Sequence, residues 1–392
     1  MALVVQNLNN NPPNVDSRVL SHSCGSQSRM PDNMSKMKVV RRISINEEFE
    51  TCSDKPIPDV PPKGARIKVC YAGACYTDRQ VKNCGKRRLS CPGVRDTSLF
   101  TGFEVSGVID GLSSDVENNN WQVGDRVIIY PDCSECFMED GYDEYITVNN
   151  LDNLVRVPNN LRLDIASLLP TGGLKAYSAV VRAKPFVLDK VNTKQGVTNV
   201  VIVGAGGLGL WTLKLAQYLL DTDPCKFKVI VADTSIEKLM LAKNYGCFDV
   251  VHWHDALHEE HILERTRDVC PDGVDIVIDF VSSPRTIKRA LKLLNEEGVL
   301  LVGGNSKYEF TFNLSILAQK EQSILGVNKG TRRQLLELVD IMTTGKVEPP
   351  CYSIFPVDEA NMVFDKLTHC KINGRAVLQI CPETDTCDDV FS

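Results

Sequence analysis

The sequence lacks a long apolar run: no stretch approaches the roughly 20 apolar residues that a membrane-spanning helix needs. It also lacks an excess of positive charge, because 44 Lys and Arg face 50 Asp and Glu and the formal net charge is −6. These absences argue against a membrane protein and against a protein that holds nucleic acid through bulk positive charge. What remains is an ordinary globular composition, 43% hydrophobic and 24% charged, in a chain of 392 residues.

Cysteine is abundant, with 15 residues, but the other features of a secreted disulfide scaffold are missing. Such scaffolds are short and follow an apolar signal segment, whereas this N-terminus offers only the apolar stretch 2–5 before a polar tract. We therefore expect reduced thiols in a cytoplasmic protein. A mitochondrial presequence is the alternative, because Arg18 and Arg29 lie among several serines, although Asp16 and Asp32 weaken it.

Composition and patterning divide the chain into successive segments. Residues 1–36 are rich in Asn, Ser and Pro and are expected to be a disordered tail, and residues 382–392 an acidic one. Between 37 and 171, short β-branched or alternating runs bounded by Gly, Pro and Asp predict a β-rich domain. Residues 172–327 alternate apolar strands with helices, which predicts an α/β domain with a doubly wound parallel sheet. Residues 328–381 carry a helix and a final strand and are assigned to the first domain.

Two helix starts are readable within the α/β segment. Thr234, with Glu237 three residues later, predicts a capping box. Ser283 before Pro284 predicts an N-cap followed by proline at the first helical position.

The sharpest motif is a glycine-rich turn between a strand and an amphipathic helix, VVIVGAGGLGLWTLKLAQYL at 200–219. Glycines permit a tight turn and remove the Cβ atoms that would block a pyrophosphate, while the free N–H groups at the helix start face the anion. We assign five residues of this turn to cofactor binding: Gly204, Gly206, Gly207, Leu208 and Gly209.

An acidic residue supports a dinucleotide site. Asp233 closes the next apolar strand, KVIVAD, 24 positions after Gly209. A carboxylate there accepts hydrogen bonds from both hydroxyls of an adenosine ribose and would repel a 2′-phosphate. The sequence therefore predicts NAD as the cofactor, and the alternative is a structural glycine turn that binds nothing.

Six stretches carry a family resemblance: GACYTDRQV (73–81), GFEVSGVI (102–109), VGDRV (123–127), DGYDEYITV (140–148), VGAGGLG (203–209) and GRAVL (374–378). In them the chain resembles the medium-chain dehydrogenase/reductase family over residues 37–380. The resemblance implies a GroES-like β-rich catalytic domain, a Rossmann cofactor domain and a homodimer. It also implies an oxidoreductase that transfers hydride between a nicotinamide and a small-molecule carbonyl or alcohol.

The same resemblance implies roles for further residues. Lys238 would lie near the adenine ribose and Arg375 would meet the pyrophosphate, although either could instead be a solvated surface charge. Three catalytic candidates would face the nicotinamide ring, with the threonine hydroxyl beginning a proton relay: Cys75, Tyr76 and Thr77.

The sequence departs from the zinc-dependent members of the family at the metal ligands. Cys75 is kept, but the expected histidine is Phe103 and the third position falls on Thr171. A phenyl ring has no lone pair and a neutral threonine is a poor zinc ligand, so we expect no catalytic metal. The structural zinc of such enzymes needs four cysteines, and the corresponding loop offers only Cys133 and Cys136.

The leading hypothesis is a zinc-free NAD(H)-dependent oxidoreductase acting on a small carbonyl, enone, quinone or alcohol. One alternative is a catalytically inactive NAD-binding family member with a sensing or scaffolding role. Another is a zinc enzyme with unusual ligands, such as Cys75 with Glu104. The histidines of HWHDALHEEH, at 252–261, could share a metal, but we interpret them as a solvated polar surface.

Overall fold

The computed structural model describes residues 35–42, 49–74, 104–115, 120–131, 141–220, 223, 225–304 and 308–382. Most of both predicted tails lies outside these ranges, as do Cys75, Tyr76, Thr77, Phe103, Cys133 and Cys136. Within the described ranges, no helix combines the length and the apolar composition that a membrane crossing requires.

The first domain is organised around a mixed sheet. Its strands are β3 (Ala65–Ala74), β4 (Glu104–Leu112), β5 (Arg126–Ile129), β6 (Tyr145–Val148), β7 (Leu154–Arg156), β14 (Tyr352–Pro356) and β15 (Arg375–Gln379). The order is β14-β15-β3-β4-β5-β7, with β6 also paired to β3. All neighbours are antiparallel except β14 and β15. A separate hairpin, β1 (Lys36–Arg42) with β2 (Phe49–Pro56), precedes this sheet.

The return of the chain to the first sheet is visible in β15. This strand pairs antiparallel with β3, so that Ala376 faces Ala74 across the ladder. Residues near the C-terminal end thus complete a sheet that begins near residue 65. The boundaries at 171/172 and 327/328 stay predictions.

The second domain contains a parallel sheet of β8 (Thr198–Val203), β9 (Phe227–Asp233), β10 (Asp249–His252), β11 (Val274–Asp279), β12 (Leu294–Val302) and β13 (Ser323–Gly326). The order β10-β9-β8-β11-β12-β13 runs outward in both directions from the centre and confirms the doubly wound prediction. The strand order reverses between β8 and β11, which is where ligands bind in such sheets.

Both faces of the parallel sheet are covered, which explains the continuous apolar runs in its strands. Successive residues of β8 alternate between two clusters, with Val200 and Ile202 on one side and Val201 and Val203 on the other. The first cluster also contains residues of the mixed sheet, such as Ile128, so the two sheets share a continuous core.

The helices are α1 (Leu163–Ala166), α2 (Leu174–Thr193), α3 (Gly207–Leu219), α4 (Ile236–Asn244), α5 (Glu259–Val269), α6 (Pro284–Leu293), α7 (Leu314–Gln319), α8 (Arg332–Thr343) and α9 (Ala360–Thr368). The predicted start of α6 is confirmed, because Ser283 caps it and exchanges hydrogen bonds with Thr286. The predicted capping box at Thr234 is wrong by one residue. Ser235 caps α4, and its hydroxyl accepts from the backbone N–H of Lys238.

Candidate functional site

The glycine-rich turn after β8 needs glycine for two separate reasons. Gly204 has φ +100°, a conformation that L side chains rarely adopt. A Cβ on Gly209 would collide with the backbone carbonyl of Gly204, so the helix after the turn packs directly on the chain before it. The turn is anchored by a hydrogen bond from Gly204 N–H to Ala232 C=O, 2.8 Å long, which ties it to β9.

Gly206 differs from these two glycines because neither its backbone conformation nor a close contact requires glycine there. It is the N-cap of α3 with an extended backbone (φ −79°, ψ −168°), and no heavy atom of the described residues lies within 4 Å of a Cβ built there. Among those residues, no acceptor takes the N–H groups of Gly207, half-buried Leu208 or Gly209. The first N–H groups of a helix lack intrahelical partners, so this open space is a cradle that an anion fits.

Asp233 lies beside the cradle at the end of β9. Its Oδ2 accepts from Ala205 N–H at 2.6 Å and its Oδ1 from Ser235 N–H at 2.8 Å. These bonds fix a half-buried carboxylate next to the turn, where the sequence predicts the adenosine ribose. Lys238 lies in the first turn of α4 and is also half-buried.

Arg375, the first residue of β15, reaches the same turn from the mixed sheet. A Cβ on Gly207 would collide with Arg375 Cδ, so the arginine stem packs on the first residue of α3. The guanidinium forms an ion pair with Glu104, the first residue of β4. The structure therefore places the aliphatic part of a basic side chain from the first domain against the helix start of the second.

Glu104 is fully buried and has three donors around one carboxylate. Its Oε1 accepts from the Thr171 hydroxyl and from Gly172 N–H, the latter at 2.8 Å, and its Oε2 accepts from Arg375. A buried carboxylate is stable only when paired and hydrogen-bonded, and these donors satisfy that requirement.

Sequence and structure comparisons agree with this architecture. A family described as "Alcohol dehydrogenase GroES-like domain" matches residues 61–183, and one described as "Zinc-binding dehydrogenase" matches residues 207–344. An NAD-dependent alcohol dehydrogenase of Sulfolobus acidocaldarius is 29% identical over 353 residues, covering 83% of this chain and 95% of that protein. The chain belongs to the medium-chain dehydrogenase/reductase family.

Two further members show the range of the family. A D-arabinose 1-dehydrogenase (NADP(+)) of Saccharolobus solfataricus is 24% identical over 367 residues, covering 88% of this chain and 98% of that protein. The crystal structure of an alcohol dehydrogenase of Aeropyrum pernix superposes with a TM-score of 0.71 at 25% identity, covering 87% of this chain and 99% of the other. This medium-chain family member is therefore an oxidoreductase, and its relatives differ in both substrate and cofactor.

Of the three positions that correspond to the catalytic zinc ligands, Thr171 lies within the described residues, whereas Cys75 and Phe103 lie outside them. Thr171 donates its hydroxyl to Glu104, and Glu104 is already held by Arg375. Across the described ranges, no three His, Cys, Asp or Glu side chains converge in a way that could hold a metal ion. His252 and His254 do meet, with ring centroids 5.2 Å apart, but His252 Nε2 is hydrogen-bonded to Thr234 C=O.

Sequence reasoning missed a second polar cluster at the sheet edge. Asp279, the last residue of β11, is fully buried and hydrogen-bonded to Val281, Ser282 and Thr286. The available signal was an acidic residue ending an apolar strand, as in β9, followed by a helix start at Ser283.

Proposed function

We propose that this family member is a zinc-free, NAD(H)-dependent oxidoreductase that acts on a small carbonyl, enone, quinone or alcohol. The observation that carries the proposal is the open cradle at Gly206. The carboxylate of Asp233 is bonded to Ala205 on one side of it, and the aliphatic part of the Arg375 side chain packs on Gly207 on the other. When bound, the nicotinamide ring supplies or accepts the hydride. The chain's own residues bind and orient it.

The binding roles follow from charge and position. The free N–H groups of Gly207, Leu208 and Gly209 donate to the pyrophosphate, and Arg375 adds a positive charge beside them. Asp233 accepts from the ribose hydroxyls. A 2′-phosphate would stand beside this carboxylate, and two like charges 4 Å apart repel by about 4 kcal/mol at an effective dielectric of about 20. NAD is therefore favoured over NADP.

The zinc-free part of the proposal rests on the donor set. Phe103 and Thr171 replace two ligands of the zinc-dependent members, and Thr171 is hydrogen-bonded to Glu104. A site built from Cys75 and Glu104 would have to displace Arg375 and Gly172 from a fully buried carboxylate. Breaking such a buried pair costs about 3–5 kcal/mol.

Without a metal, hydroxyl groups must stabilise the negative charge that develops on the substrate oxygen. We assign this role to Thr77 and Tyr76, with Cys75 beside them at the nicotinamide ring. Hydroxyl hydrogen bonds are weaker electrophiles than a divalent cation, so easily reduced aldehydes, quinones or enones are the expected substrates. Oxidation of simple alcohols should be slow, because no metal lowers the alcohol's pKa.

The experiment is a fluorescence titration with NADH and NADPH, followed by a screen of NADH oxidation over aldehydes, ketones, quinones and enones. Tighter NADH binding and turnover of at least one acceptor support the proposal, and Thr77→Val should then lower the rate without changing NADH affinity. Equal or tighter NADPH binding contradicts the cofactor choice. NADH binding without turnover of any acceptor favours the catalytically inactive alternative.

We also propose a homodimer. β13 forms one edge of the parallel sheet, and three large apolar side chains near it in sequence are exposed: Tyr308 (72%), Leu314 (69%) and Ile316 (50%). An open strand edge with apolar neighbours favours pairing with another chain. Light scattering after size exclusion should give twice the chain mass, and Leu314→Glu should shift the protein toward monomer.

A cytoplasmic location is proposed from the thiols. Seven described cysteines are free: Cys52, Cys225, Cys247, Cys270, Cys351, Cys370 and Cys381. Free thiols persist in reducing compartments. Fluorescence microscopy of the tagged full chain tests this, and co-localisation with mitochondria would favour the presequence alternative.

A further inference from the structure

We propose that Asp279 is a positioning residue for the nicotinamide half of the cofactor. It acts by fixing the second wall of the crevice, which is formed by residues 280–283 and by Gly303 and Gly304. The inference rests on the proposed function, because it concerns how the same crevice holds NAD(H).

The strand order gives the cluster its place along the cofactor. Asp279 lies level with Val203 of β8 on one side and with Val302 of β12 on the other. A dinucleotide crosses the sheet edge where the strand order reverses, between β8 and β11. Asp233 marks the adenosine end on β9, so the nicotinamide end lies over β11 and β12.

The carboxylate of Asp279 holds the chain that leaves β11. Its Oδ1 accepts from Val281 N–H and Ser282 N–H, both at 2.8 Å, and its Oδ2 accepts from the Thr286 hydroxyl at 2.6 Å. Ser282 has φ +51°, which a serine adopts only when its surroundings impose it. The carboxylate thus fixes a strained turn between β11 and α6.

The same cluster fixes the neighbouring strand end. Ser282 Oγ accepts from Gly304 N–H at 2.8 Å, and the backbone carbonyl of Asp279 accepts from Gly303 N–H at 2.8 Å. The turns after β11 and β12 are therefore joined into one surface. Displacing the turn at Ser282 would shift the segment at Gly303 and Gly304 with it.

Val281 brings this surface to the glycine turn. Its side chain is 50% exposed, and its Cγ2 would lie 3.2 Å from a Cβ built on Gly204. The two walls of the crevice are therefore within contact distance here. Asp279 itself is 0% exposed and does not touch a bound cofactor, so it acts only through the groups it holds.

A purely structural role predicts a different result from a positioning role. If Asp279 only stabilises the fold, its replacement weakens NADH and ADP binding alike, in step with the loss of thermal stability. If it positions the nicotinamide wall, NADH binding falls while ADP, which lacks the nicotinamide half, binds as before. Burial also raises the pKa of Asp279, which means that the ionised carboxylate is less favourable in the folded protein than in the unfolded chain.

The test uses the full chain and the variants Asp279→Ala, Asp279→Asn and Ser282→Ala. NADH affinity is measured by fluorescence titration, ADP affinity by calorimetry, and stability by thermal unfolding without ligand. Asp279→Ala should weaken NADH binding at least about tenfold, because two backbone N–H groups lose their acceptor, and change ADP binding by less than about threefold.

Asp279→Asn is the conservative control. Its amide oxygen still accepts from Val281 and Ser282, while the Thr286 hydroxyl turns to the Ser283 carbonyl at 3.1 Å. NADH affinity should therefore stay within about threefold of the native protein. Ser282→Ala removes the hydroxyl that accepts from Gly304 N–H and donates to the Asp279 carbonyl, but it keeps the Asp279 carboxylate. It should weaken NADH binding about three- to tenfold with ADP binding unchanged, and it decides the question if Asp279→Ala does not fold.

Equal losses for NADH and ADP, or no loss for either in folded Asp279→Ala and Ser282→Ala, would overturn the positioning role. That failure is distinct from failure of the proposed function. Failure of the proposed function would appear in the native protein itself, as absent NADH binding, as NADPH binding equal to or tighter than NADH binding, or as NADH binding without turnover.

Discussion

Replacing Gly206 by valine separates cofactor binding from folding more cleanly than any other change in the glycine-rich turn. The position is an extended N-cap, and a Cβ there meets no heavy atom of the described residues within 4 Å. The protein without cofactor should tolerate the valine, because the extended backbone at this position is one that any L residue adopts. The β-branched side chain would, however, occupy the cradle at the start of α3.

The magnitude follows from the hydrogen bonds that the valine displaces. Each bond from a backbone N–H to a charged phosphate oxygen contributes about 1.5–3 kcal/mol, so losing two costs about 3–6 kcal/mol. At about 1.4 kcal/mol per factor of ten, NADH affinity should fall about 100- to 10,000-fold.

The assay is NADH fluorescence titration beside thermal unfolding, with His258→Val as the matched control. His258 is also an extended N-cap without a side-chain capping bond, at the start of α5, and it is exposed. The control should bind NADH like the native protein. Unchanged NADH affinity in a folded Gly206→Val variant would show that the cradle is not the dinucleotide site.

Three further outcomes are expected. Burial raises the pKa of Asp279 in the folded protein, so the native protein loses stability as the pH rises from the unfolded pKa of about 3.9 through that raised pKa. Asp279→Asn does not titrate, and its unfolding free energy relative to the native protein should therefore rise over this pH range. A difference in unfolding free energy that urea titrations find to be independent of pH would contradict this. Arg375→Gln leaves Glu104 buried without its cation, so the free energy of unfolding measured in urea should fall by about 3–5 kcal/mol and NADH binding should weaken. A variant with native stability and native NADH affinity would refute the assigned pairing. Under native conditions iodoacetamide should label exposed Cys370 long before buried Cys270, whose pKa is raised by burial to about 12, as read by peptide mass spectrometry; comparable rates would contradict the described burial.

The fold was predictable where its signals are local. Continuous apolar strands separated by helices predicted the parallel sheet, and Gly204 with Gly209 marked a turn that only glycine allows. Helix starts were readable to within one residue, since Ser283 was right and Thr234 gave way to Ser235. The glycine turn and the two N-caps each depend on contacts between residues only three to five positions apart.

The polar clusters were not predictable because their partners are distant in sequence. Glu104 and Arg375 are 271 positions apart, and Asp279 reaches Gly304 only through Ser282 and the pairing of β11 with β12. Periodicity carries no information on such pairs, which depend on how the sheets pack. Cys75, Tyr76 and Thr77 stay predictions, because they lie outside the described residues.

The central claim is tested most directly by the rate of NADH oxidation before and after exhaustive chelation, with zinc content measured on the same samples. A zinc-free oxidoreductase predicts that at least one aldehyde, quinone or enone is reduced at the same rate in both samples. A rate that disappears on chelation and returns with stoichiometric zinc would contradict the claim.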